Sequence, residues 1–216
     1  MSIGPAVRRA LGPIEAPVAK AYRGIFVDID ALGDAIASFD LGRRVLEVGT
    51  GGGTVAAQIV ARRPDVHLLG IDLIDDPGQH FDGDRSRVEF RTQTIGALLA
   101  EDPEPFDAVV IADVLHHVPP AERAELLSAV DDLLSPHGVL LIKESVVVAS
   151  PGYWLGHFSD RWITGDRNVS FLTESAIEEL VAASVRDVEP IGRTTIRPWS
   201  TNLLRVWRRR TEPIEE

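Results

Sequence analysis

Five short runs of apolar, largely β-branched residues, at 44–48, 67–71, 87–92, 108–112 and 139–143, alternate along the chain with stretches of helical periodicity. Because each run is apolar throughout, the pattern predicts strands covered on both faces, in a parallel sheet built from βαβ units. Between 118 and 134 the positions Leu126, Leu127, Val130, Leu133 and Leu134 recur at helical spacing. Pro119 and Pro120 suit the first turn of that helix, and Ser135-Pro136-His137-Gly138 stops it. Further helices are predicted over 33–39, over 54–63 ahead of Pro64, and over 175–183, opened by Ser175 and Glu178 at capping-box spacing. Residues 185–195 and 202–208 read as an antiparallel pair added to the sheet edge. The acidic stretch 75–84, with Pro77, Gly78 and Gly83, reads as a loop.

Length adds to this pattern a limit of one domain, since 216 residues leave little room for a second. Within residues 1–216 the organisation expected is a helical cap at 1–42, a sheet core at 43–146, a substrate segment at 147–172, and a final helix with its strand pair at 173–216. The connection 148–172 is too long for an ordinary loop, and such loops are usually lids or binding elements.

The chain has no cysteine, so disulfides, thiolate zinc sites and thiol catalysis are excluded. The net charge of −11 argues against a phosphate backbone or an anionic membrane as partner. Arg208, Arg209 and Arg210 form a basic cluster, but Glu212, Glu215 and Glu216 follow at once, and protection of a sheet edge accounts for them. The longest apolar stretch is interrupted by Lys143 and Glu144 and falls short of the roughly 18 residues of a spanning helix. No apolar leader precedes the first helix, so a cytoplasmic protein is expected.

The densest signal is Glu47-Val48-Gly49-Thr50-Gly51-Gly52-Gly53-Thr54, a buried strand that runs into a glycine-rich turn and then a helix. Such a turn lets backbone approach a ligand closely and aims helix amides at it. A dinucleotide fingerprint would require glycine where Thr54 stands, and Glu47 would sit badly beside a pyrophosphate. A ligand with a positive amino-acid end fits the acidic position better.

The run 45–53 resembles the first motif of class I S-adenosylmethionine-dependent methyltransferases of the small-molecule type. The resemblance extends from about residue 43 to about 144 and implies a Rossmann-like, seven-stranded, mostly parallel doubly wound α/β sheet. Glu47, Gly49, Thr50, Gly51 and Gly53 would hold the cofactor. At the end of the second strand, Asp72 stands where the family places an acid on the ribose hydroxyls, with Leu73 next to it. Thr94 and Ile95 fall where the adenine is contacted, although the family often has aspartate there. Ala112 and Asp113, followed by Val114, Leu115, His116 and His117, resemble the motif that borders the sulfonium, and 133–143 resembles the fifth station.

The chemistry implied is in-line displacement of a methyl group from sulfur, for which positioning and exclusion of water do most of the work. His116 and His117 are candidate general bases, because imidazole titrates near neutrality. Glu144, at the C-terminal end of its strand, is a third. No metal is expected. Tyr22, Tyr153, Trp154, His157 and Trp162 are candidates for the wall of an apolar or aromatic substrate pocket, or else, for the segment 153–162, a homodimer contact. The expected activity is methyl transfer to a small apolar or aromatic molecule, with no nucleic acid and no membrane as partner. The alternatives are a non-catalytic or non-methylating S-adenosylmethionine-binding protein, or an RNA or protein methyltransferase.

Overall fold

A computed structural model describes residues 27–147 and 170–210. The chain enters through helix α1 (Ile29–Ala37), capped by Asp28, whose carboxylate accepts from the Ala31 amide. It continues with β1 (Arg44–Val48), α2 (Thr54–Arg62), β2 (His67–Asp72), β3 (Val88–Thr92), α3 (Ile95–Leu99) and β4 (Phe106–Ala112). Then come α4 (Arg123–Leu133), β5 (Leu134–Ser145), α5 (Glu174–Ser184), β6 (Val188–Thr195) and β7 (Asn202–Arg209).

The strands form one sheet in the order β3-β2-β1-β4-β5-β7-β6. Strands β1 to β5 are mutually parallel, β7 runs antiparallel to β5, and β6 pairs with β7 alone. The final strand therefore lies inside the sheet, and β6 takes the edge. Successive residues of the central strands face opposite layers. Leu46, Val109 and Leu140 pack with Leu127 of α4 and Ile177 of α5, while Val45, Val110 and Leu141 pack with Ile36 of α1 and Ile59 of α2. Burial on both faces explains why these runs carry no alternation. The edge strands β3 and β6 are largely half-buried or exposed instead.

Several local features refine the expectation. The helix ends at Leu133, directly ahead of 135–138 as expected, and that segment is a register irregularity at the start of β5, where Leu134 pairs with Phe106 and Val139 with Ala108. Helix α4 starts at Arg123, because Pro119 and Pro120 lie in the turns before it. Helix α5 is capped by Thr173, whose hydroxyl accepts from the Ala176 amide, and not by Ser175. Thr94 caps the short α3 in the same way. Among the described residues no helix is long and apolar enough to cross a membrane.

Candidate active site

The order reversal of the sheet lies at β1, flanked by β2 and β4, and in open α/β sheets the crevice beyond the strand ends at such a point receives the ligand. There Gly49, Gly51 and Gly53 all have positive φ. Gly49 is obligatory for packing as well as backbone, since a Cβ on it would meet a Val114 methyl at 2.3 Å. That approach joins the turn to the exit of β4. A Cβ on Gly53 would press on Phe81 and Phe90 at 3.0 Å, whereas one on Gly51 would meet nothing within 4 Å. The turn is thus packed on its outside and open at Gly51. The loop expected at 75–84 supports it from outside: the Gly78 and His80 amides donate to the Gly51 and Gly52 carbonyls at 2.9 and 2.8 Å.

Two acids flank this turn. Glu47 is 1 % exposed and accepts a 2.7 Å hydrogen bond from the Thr50 hydroxyl. Burial raises its pKa from 4.5 to about 8, opposed by the Thr50 hydrogen bond and reinforced by the charge of Asp72. Asp72 accepts from three backbone amides, Gly51 at 2.7 Å, Leu73 at 2.7 Å and Ile74 at 3.2 Å. It is therefore the cap that ties β2 to the glycine turn. A carboxylate offers about four acceptor positions, which leaves room for a ligand hydroxyl. Leu73 beside it is 72 % exposed, an unusual surface position for a leucine. Thr94 and Ile95 stand at the exit of β3, where one lone pair of the Thr94 hydroxyl is used by the α3 cap.

The second half of the site comes from the neighbouring exits of β4 and β5. Asp113 has φ 56, an uncommon conformation for a residue other than glycine. Its amide donates to the Lys143 carbonyl at 2.8 Å, and its Oδ2 takes the Lys143 ammonium at 2.5 Å. Its Oδ1 is buried without a hydrogen-bond partner among the described residues. Glu144, 1 % exposed, accepts through Oε1 from the Val114 amide at 2.9 Å and the Leu115 amide at 2.6 Å. Its Oε2 lies 2.6 Å from Nδ1 of the buried His116. Two amides aimed at one oxygen make Glu144 an acceptor, and an imidazole donating from Nδ1 serves its other oxygen. The lone pair then resides on Nε2, the arrangement a general base requires. His117 is exposed, and its ring centroid is 4.1 Å from that of His116.

Asp113, His116 and Glu144 bring three possible metal-ligand atoms within 4.8 Å of one another, the one such group among the described residues. Within this group Asp113 Oδ2 takes the Lys143 ammonium, and His116 Nδ1 and Glu144 Oε2 bond to each other. Arg123 carried no expectation, yet it is buried at the start of α4 and donates to the carbonyls of Val118 and Ser170. Its signal was its register with Leu127 and Val130 on one helix face. Tyr22, Tyr153, Trp154, His157 and Trp162 lie outside the described residues.

Residues 46–140 match the family model described as a methyltransferase domain. Over these residues, somewhat less than half of the chain, the sequence is similar to methyltransferase domains. Among curated proteins, the chain is similar to the ubiquinone biosynthesis O-methyltransferase of Xylella fastidiosa strain M23, 37% identical over 105 residues, 47% of this chain and 41% of that protein. It is also similar to the same-named protein of Xanthomonas campestris pv. campestris strain B100, 32% identical over 103 residues, 47% of this chain and 42% of that protein. The match thus spans about two fifths of the relatives' length. Among solved structures, an O-methyltransferase family protein from Burkholderia thailandensis superposes with TM-score 0.68 at 20% identity, over 84% of this chain and 56% of that one. The Burkholderia thailandensis 1,6-didemethyltoxoflavin-N1-methyltransferase, with 1,6-didemethyltoxoflavin and S-adenosylhomocysteine bound, gives 0.64 at 21% identity, over 95% of this chain and 88% of that one. At these identities the structural likeness is one of fold.

Proposed function

We propose that the chain binds S-adenosylmethionine at the exits of β1, β2 and β4 and methylates a small molecule on a nucleophile that His116 deprotonates. The observation that carries this reading is the buried His116–Glu144 pair, set one close packing contact, Gly49 on Val114, away from an open glycine turn. The residues suit the donor in three respects: the space at Gly51, the exposed Leu73 for a flat apolar ring, and acceptor capacity at Asp72. When bound, the donor supplies a methyl group on a positively charged sulfur.

In this reading Glu47 faces the cationic amino-acid end, Asp72 the ribose, and Leu73, Thr94 and Ile95 the adenine. Ala112 and Asp113 border the reacting methyl. Glu144 fixes the imidazole ring and its tautomer, and His116 Nε2 takes the acceptor's proton as the nucleophile attacks in line. His117, exposed beside it, is the secondary candidate. Tyr22, Tyr153, Trp154, His157 and Trp162 are proposed for the acceptor pocket. Small apolar or aromatic acceptors in a cytoplasmic setting are favoured, in keeping with the ubiquinone and toxoflavin names among the relatives and neighbours.

Calorimetry with S-adenosylmethionine and S-adenosylhomocysteine tests the cofactor, and Gly51→Arg is the control that should not bind. Methyl transfer to a panel of phenols and heteroaromatic compounds, with His116→Gln alongside, tests the chemistry. Absence of heat with the wild-type chain refutes the reading; heat without transfer to any acceptor favours a cofactor-binding protein that does not methylate.

A further inference from the structure

Arg123 is a buried guanidinium for which no carboxylate lies within ion-pair distance among the described residues; its donors go to backbone oxygens. Nε donates to the Val118 carbonyl at 3.0 Å, at the end of the loop that carries His116. Nη2 donates to the Ser170 carbonyl at 2.7 Å, at the start of the strut that leads into α5. The same strut closes on His116 twice more: the Ser170 amide donates to the His116 carbonyl at 2.9 Å, and the Phe171 ring stacks on the imidazole at 5.2 Å with 21° between planes.

The electrostatics point to the same place. Burial pulls the Arg123 guanidinium below its ordinary pKa, and the negative charge that offsets this is Glu144. Arginine does not give up its proton in proteins, so a permanent positive charge is held within the field of the carboxylate that orients His116. A guanidinium kept out of water and bonded only to carbonyls is costly unless a nearby anion or an exact geometry repays it.

We propose that Arg123 is a positioning residue for His116: it clamps Val118 and Ser170 so that Phe171 covers one face of the imidazole and Nδ1 is held against Glu144 Oε2. The proposal rests on the reading of His116 as the proton acceptor, but it is read from the imidazole resonance, and methyl transfer serves only to tell the two failures apart. Lysine has the charge yet cannot bridge two carbonyls with a planar fork, and methionine has neither property.

The test is nitrogen-15 and proton NMR of the imidazoles in the full chain, with the His116 signals assigned by their loss in His116→Gln. In the wild type the Nδ1-bound proton of His116 should appear far downfield and be protected from exchange. Arg123→Met should shift that resonance and speed its exchange at least tenfold, while the affinity for S-adenosylhomocysteine stays within about twofold. Arg123→Lys, the safeguard if the methionine variant does not fold, should keep the resonance but broaden it as the clamp loosens. An unshifted His116 resonance in Arg123→Met, or an unbroadened one in Arg123→Lys where only that variant folds, overturns the proposal even if the melting temperature falls, because the arginine is then a structural tie only. If the resonance moves as expected but His116→Gln still methylates at the wild-type rate, the positioning role stands and the base reading fails.

Discussion

Glu144 fixes His116 from the adjacent strand exit, with Oε2 2.6 Å from Nδ1 while Oε1 serves two backbone amides. A glutamine there would keep its carbonyl oxygen on the Val114 and Leu115 amides and turn its NH2 toward the imidazole. That forces the proton from Nδ1 to Nε2 and removes the lone pair from the reacting side. Glu144→Gln should therefore preserve the fold and cofactor affinity but lower kcat by about 10² to 10⁴, the range of general-base assistance. His116→Gln should fall in the same range, and the double variant should be little worse than either alone. Steady-state kinetics of the four proteins check this.

Glu47 should make both stability and cofactor binding depend on pH. The folded chain holds its proton up to about pH 8, whereas an unfolded glutamate releases it near 4.5. The stabilisation is complete below 4.5, is lost as pH rises toward 8, and the loss levels off above that, at about 1.4 kcal/mol per pH unit across the window. Denaturation in urea between pH 5 and 9 should show this decline, and Glu47→Gln should flatten it.

If the cationic end of the cofactor draws Glu47 into its ionised form, binding at pH 7 releases a proton. Calorimetry in two buffers of different ionisation enthalpy should register the release, and Glu47→Gln should abolish it. Equal heats in the two buffers, after correction for other groups, would place Glu47 away from the cofactor.

At Gly51 the expectation separates binding from stability. A Cβ there meets no neighbour within 4 Å, so the main expected cost of Gly51→Arg is the strain of φ +52, about 1 to 2 kcal/mol, while the longer side chain fills the cradle. The variant should melt within a few degrees of wild type and bind no S-adenosylhomocysteine. Gly53→Ala, pressed on Phe81 and Phe90, should lose more stability than Gly51→Arg.

Asp72 serves the turn as well as the ligand. Asp72→Ala leaves the Gly51, Leu73 and Ile74 amides without their acceptor, a loss of about 1 to 3 kcal/mol. Cofactor affinity and melting temperature should fall together. A variant that loses affinity with an unchanged melting temperature would show the ribose contact to dominate.

The strands were legible because burial on both faces leaves unbroken apolar runs, and the glycine turn because few other needs bring four glycines into five residues. His116 and Glu144 were each legible as candidates. Their partnership was not, since they are 28 positions apart and meet only because β4 and β5 are neighbours in the sheet. Thr94 shows the limit of residue type alone, because a threonine ahead of an apolar turn caps a helix as readily as it faces a ligand. Arg123 and Asp131 were overlooked because charge reads as surface, although their register on α4 places both with Leu127 and Val130. Asp131 there draws in Arg186 and Arg209 and fastens the helix to the far end of the sheet.

The placement of β7 between β5 and β6 sets the order of assembly during synthesis. The apolar side of β5 that ends at Glu144 stays an open hydrogen-bonding edge until residues 202–209 have left the ribosome, because Val139 waits for Arg208 and Glu144 for Leu203. Until then the nascent chain carries a long unpaired strand next to the His116–Glu144 pair, the kind of edge that recruits other chains. A version cut before residue 202 should therefore accumulate as aggregate rather than as a smaller working domain, and a fluorescent reporter fused behind the last strand would register folding success for the whole sheet.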